Sequence, residues 1–292
     1  MVDYLYDGSF NGFLTCVYLH YYEEKAAGIY PAGAYQGSLL REARPVETSG
    51  EKAARVYRAI EEKIGNAALE RVYKVFLSSV PEKENAALQY LRLGFRIGGK
   101  LSSLHGHPVV LAAQQAARKV DWEVDRITGI LRFSVLAAPA STLGAEVSAG
   151  PGVGPPLHGE ASSSVPTSVS GPDRELLYSR IEPVHDILEL LGDHFADRFR
   201  EDPFIIHDPP RGKALFGLKG SWYVGPLREE DLPPLSRGEK EYRRLWQSYF
   251  RNIAIKERTN PRCQRQFIPS RYWKNLTEMQ GGFSPEETGY YP

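Results

Sequence analysis

Cysteine is nearly absent from this chain: Cys16 and Cys263, far apart, are the two thiols in 292 residues. That scarcity excludes a disulfide framework and a CxxC metal site, and it fits a reducing cytosol. Net charge is missing as well. The 36 Lys/Arg balance 36 Asp/Glu, so the whole molecule offers no basic field to an anionic partner, and any electrostatic role must be local. No apolar run approaches the length of a membrane span, and the opening MVDYLYDGSF has no basic n-region. Both features predict a soluble cytoplasmic protein without a membrane partner. GxxxxGKS/T, GxSxG, HExxH and the kinase motifs are all lacking; the glycines of GFRIGGKL read as a helix stop, and no cofactor is implied.

What is present is long helical periodicity. DYLYDGS reads as a short strand and turn, followed by Phe10, Phe13, Leu14, Val17 and Tyr21 at helical spacing behind Ser9 as N-cap. Gly28 to Gly37 reads as a loop. From Glu51 to Ile127 three apolar stripes around Ala53, Leu69 and Ala87 lead to a longer helix that opens at His107 or Pro108. GILRFSVL and LLYSRIEP then shift to strand character, with FIIHD, KALFGL and SWYVG as three more strands, the last two joined by a tight turn at Lys219-Gly220. An amphipathic helix runs from Val184 to Phe199. The expected class is α+β: an N-terminal helical block, then a small antiparallel sheet with packed helices, then a basic amphipathic helix. The division falls at 1–130 and 131–292, unless the two integrate into one domain. Ala137 to Pro172, with Glu146 and Glu160 its only charged residues, is too poor in large apolar groups to order itself and reads as an insertion at a hairpin tip.

Two constellations carry chemistry. Between Glu239 and Lys274 ten Lys/Arg face three Glu, a local charge of +7 in a neutral chain. Lys240, Arg244 and Arg251 lie along the last long helix, whose stripe of Tyr242, Leu245, Trp246, Tyr249, Phe250 and Ile253 reads as its buried side. Beyond it Lys256, Arg258, Asn260, Arg262, Gln264, Arg265, Arg271, Tyr272 and Trp273 combine guanidinium forks, amides and rings. Arginine forks match phosphate, amides read base edges and aromatic faces stack unpaired bases; the same inventory also suits a protein interface. The second constellation is Glu182, His185, Asp186, His207 and Asp208, with Arg180 and His194 nearby. Carboxylates beside imidazoles can run acid/base chemistry, and His185, His194 and His207 are the candidate metal ligands, although His and Asp more often satisfy structural hydrogen bonds. His105 and His107 read as turn and cap residues.

The stretches YLYDGSFNGFLT, YLRLGF, YSRIEPVHDILELLGDHFADRF, FIIHD and LWQSYFRNIAIKERTNPRCQRQFIPSRYWKNL resemble a bacterial family of DNA metabolism proteins, domains of unknown biochemical function. The resemblance leaves out Ala26 to Arg41 and the Ala137 to Pro172 insertion. Members are encoded beside a radical S-adenosylmethionine protein of DNA modification or repair, and a similar module occurs attached to uracil-DNA glycosylase-like domains. The resemblance therefore implies DNA and that companion enzyme as partners. It carries no catalytic residues across. Two cysteines cannot supply the three thiolates of a radical-enzyme cluster, so any radical chemistry falls to the companion. The expectation is a non-catalytic DNA-binding repair subunit; the rivals are a glycosylase-like enzyme using the acid and imidazole set, and a protein-only scaffold.

Overall fold

The computed structural model describes residues 1–37, 41–139, 175–258 and 260–280. Most of the Ala137 to Pro172 insertion lies outside them. The chain forms two compact units: Met1–Trp122 with Val184–Asp186, and a second that contains, among the described residues, 123–139, 175–183 and 187–280.

In the first unit β1 (Val2–Tyr6) lies between β2 (Ala26–Pro31) and β3 (Ala43–Pro45), and both pairings are parallel. The Gly28 to Gly37 stretch expected as a loop thus begins as a strand. Its glycines and proline hid it, yet Ala26 and Ile29 are buried and pair beside β1. Helix α1 (Phe10–Tyr22) starts where expected, with Ser9 Oγ accepting from Gly12 N at 3.0 Å. Helices α2 (Gly50–Lys63), α3 (Asn66–Leu77) and α4 (Lys83–Ile97) follow the three apolar stripes. α4 stops at Gly98, whose φ of 66° suits glycine. His107 Nδ1 accepts from Val109 N at 3.3 Å, capping α5 (Pro108–Ile130). The last two turns of α5 belong to the second unit.

The second unit is a five-stranded sheet in the order β4-β5-β6-β7-β8: Ser134–Pro139, Glu175–Arg180, Phe204–Asp208, Lys213–Leu218 and Ser221–Pro226. It is mixed rather than antiparallel throughout. β5 and β6 run parallel because α6 (Leu188–Arg198) crosses between them, and a helical crossover returns the chain in the same direction. That helix begins four residues later than its sequence period suggests, since Val184–Asp186 belongs to the first unit. The β7–β8 turn has positive φ at Lys219 (50°) and Gly220 (75°), the signature of a two-residue type I′ hairpin. On one face of the sheet Leu136, Leu176, Ile205, Ala214, Phe216 and Leu227 form a core. On the other α6 packs through Phe195, beside Phe133, Phe199 and Phe204. Gly192 lies so close under Trp222 that a Cβ there would sit 2.2 Å from the indole. Helix α7 (Arg237–Ile253) and the short α8 (Pro261–Phe267) complete the unit.

Candidate nucleic-acid interface

The cationic segment is fastened to the edge strand β4. Ser236 Oγ caps α7 by accepting from Glu239 N at 3.1 Å, and Glu239 Oε2 in turn accepts from Val135 N at 3.1 Å. Arg243 donates to Glu239 at 2.9 Å and to Ser134 Oγ at 2.6 Å. One turn further on, Gln247 Nε2 donates to the carbonyls of Thr277 and Gln280 at 3.0 and 2.7 Å. α7 is therefore held by a polar row, Glu239, Arg243 and Gln247, with half-buried Phe250 continuing the same side.

This corrects the expected orientation. The apolar stripe read as the buried side is largely turned to solvent: Tyr242, Leu245, Trp246, Tyr249 and Ile253 are all exposed. The 3.6-residue period identifies the helix, but the partners that decide which face packs, Ser134, Val135 and the Thr277 and Gln280 carbonyls, come from distant parts of the chain.

Lys240, Arg244 and Arg251 are exposed, as is Arg237, which the i, i+3, i+7 spacing to Lys240 and Arg244 adds to the set. Lys256 opens a helical turn, Lys256–Arg258. Arg258, Arg262 and Arg265 are exposed, and none of these three has a carboxylate partner among the described residues. Asn260 is spent locally, its Oδ1 accepting from Cys263 N at 2.9 Å as the cap of α8. Gln264 is half-buried.

The far end of the segment is architectural. Tyr272 is 2% exposed, so it presents no face for a base to stack on. Its hydroxyl donates to the buried Glu123 carboxylate and accepts from Arg271 at 2.8 Å. Burial and Glu123 push that hydroxyl up to about 12. Arg271 lies 3.4 Å from Glu123. Half-buried Trp273 donates its indole N–H to Ile268 O at 2.7 Å. Lys274 pairs with Glu182 at 2.5 Å. Of the expected phosphate grip, Lys240, Arg244, Arg251, Arg258, Arg262 and Arg265 are open, whereas Arg271, Tyr272 and Trp273 are engaged internally.

The acid and imidazole set does not gather into one cluster. Glu182 accepts from Arg180 at 3.2 Å and from Lys274; burial raises its carboxyl, but these two cations outweigh that and hold it below the ordinary range. His185 and Asp186 lie in the first unit, where His185 Nδ1 accepts from Ser79 N at 3.1 Å and Asp186 N donates to Leu77 O at 2.9 Å. His194 packs edge-on against Phe195. His207 is fully buried with Nδ1 3.0 Å from the Tyr178 hydroxyl, and burial keeps its imidazole below its usual value. Asp208 pairs with Arg211 at 2.7 Å. Among the described residues no three His, Cys, Asp or Glu side chains are grouped to hold a metal ion, and no helix is long and apolar enough to cross a membrane.

Over residues 168–278 the chain matches a family model described as a domain of unknown function, DUF4130. That span runs from β5 through α8 to Glu278 and contains every residue of both constellations. No curated protein and no solved structure matches the chain.

Proposed function

We propose that this protein is a non-catalytic DNA-binding subunit of DNA repair or modification, gripping phosphates through Arg237, Lys240, Arg244, Arg251, Arg258, Arg262 and Arg265. It presents the bound DNA to a companion radical S-adenosylmethionine enzyme, as the family resemblance implies. The observation that carries the reading is the set of exposed guanidinium groups on α7 and α8 without carboxylate partners among the described residues, in a chain of zero net charge. Unpaired surface arginines in such a row lower the stability of the isolated protein by mutual repulsion and gain their compensation from a polyanion. The acid and imidazole groups favour binding over chemistry, because Glu182, His185, His207 and Asp208 do not converge and each is engaged by a structural partner, although His207 Nε2 is buried without a hydrogen bond.

Fluorescence anisotropy with labelled duplex and single-stranded oligonucleotides at several salt concentrations tests this. Binding should weaken steeply with salt, and Arg262→Glu with Arg265→Glu should reduce affinity across all sequences. Each phosphate that a variant no longer neutralises takes about 0.9 from the duplex salt slope, so the pair takes about 2. Unchanged affinity in that variant discards the proposed surface.

A further inference from the structure

α7 turns its apolar side outward, and the size of that side calls for an explanation. Tyr242, Leu245, Trp246, Tyr249 and Ile253 are 73%, 66%, 41%, 54% and 55% exposed. With aromatic side chains burying roughly 150–250 Å² each, these five leave roughly 500 Å² of contiguous apolar and aromatic surface. Monomeric proteins seldom leave more than a few hundred Å² in one patch. Within its own unit the helix is held along the adjoining edge by Glu239, Arg243 and Gln247, and Trp246 reaches back to donate to Glu278 at 3.2 Å, which leaves the rest of the stripe uncovered.

We propose that the occupant of this face is α7 of a second copy of the chain, paired antiparallel about a two-fold axis. The strongest reason is the arrangement of the stripe itself. Two pairs of its exposed positions are symmetric about the point between Gln247 and Ser248: reversing the helix carries Tyr242 onto Ile253 and Trp246 onto Tyr249, while Leu245 falls opposite Phe250 of the packed side. A two-fold interface requires a patch that complements itself in this way. The charges agree. At about 100° per residue, Arg237, Lys240, Arg244 and Arg251 fall on the far side of the helix from the stripe, which is bordered instead by Glu241, Ser248 and Asn252. Two copies can therefore approach without opposing their cationic rows, and their antiparallel macrodipoles attract. Roughly 500 Å² from each copy gives about 1,000 Å² in total, about the least that a specific interface buries, so the expected dimer is a weak one. The pairing does not depend on the DNA reading. It leaves the cationic rows of both copies facing outward.

Light scattering and sedimentation of the full chain from about 1 to about 100 µM decide the matter. The expected result is a rise from 32.8 kDa to twice that mass, with Leu245→Glu plus Tyr249→Glu remaining monomeric and keeping the wild-type urea midpoint at low concentration. A monomer mass throughout the range overturns the proposal, and so does a dimer that survives the double variant. Should that variant misfold, hydrogen exchange of the unaltered chain replaces it. Amides of 242–253 should gain at least tenfold protection between the dilute and concentrated samples, and protection independent of concentration overturns the pairing. Loss of DNA affinity in Arg262→Glu/Arg265→Glu with an unchanged dimer separates the two surfaces.

Discussion

Glu123 offers the sharpest test of how the C-terminal segment is anchored. It is buried near the end of α5 and accepts the hydroxyl of Tyr272, itself 2% exposed, with Arg271 beside both. Glu123→Ala strands the Tyr272 hydroxyl in the interior. A hydrogen bond to a charged group contributes about 1.5–3 kcal/mol, and a buried donor left unmet costs about 1–3 kcal/mol. The Arg271 side chain is 49% exposed, so water replaces most of its ion pair, and that part is worth less than about 1 kcal/mol. The expected loss is therefore about 2–3 kcal/mol, read from urea unfolding followed by tryptophan fluorescence. Tyr272→Phe removes the donor without emptying the site, and in that background Glu123→Ala should cost far less, a coupling of about 1.5–3 kcal/mol. A Glu123→Ala protein within about 0.5 kcal/mol of wild type, or strict additivity in the double variant, refutes the anchor.

Burial lowers the pKa of both His207 and His20, so well above pH about 6.5 neither carries a proton in either state. As pH falls below that value the unfolded chain binds protons first, and stability should drop by up to about 1.4 kcal/mol per pH unit for each histidine until its folded pKa is reached. His207→Leu should remove one proton's share of the slope between urea midpoints at about pH 7 and about pH 5, whatever its own cost. Gly192→Ala drives a methyl into the Trp222 indole and should destabilise by about 1–3 kcal/mol, with Trp222→Leu relieving part of the loss in the same assay. Cys263 is exposed, whereas Cys16 is buried with its thiol pushed up to about 12. A thiol-reactive dye should thus modify Cys263 rapidly in the native protein and reach Cys16 only in denaturant; fast labelling of both would contradict the packing of α1.

Much of this architecture is legible in the sequence because its causes are local. Ser9 and His107 cap their helices from one turn away, Lys219-Gly220 sets the β7–β8 hairpin, and the apolar periods of α2, α3 and α4 need no distant partner. The failures share the opposite property. β2 and β3 are strands only because β1 lies between them; β3 contributes just Ala43–Pro45. The parallel pairing of β5 with β6 follows from the path of α6. The open cationic residues from Arg244 to Arg265 were readable as a charge run, while the engagement of Tyr272 depends on a carboxylate 149 positions away.

α7 is, in effect, a helix worn inside out. A substitution scan scored by hydropathy would misjudge it at nearly every turn: Leu245 and Tyr249 should accept serine with little loss of folding, while Glu239 and Arg243, charged and ordinary on paper, should be among the least replaceable residues of the unit. Attempts to make the protein better behaved by trimming its greasy surface would leave the fold intact and silently erase whatever association that surface sustains.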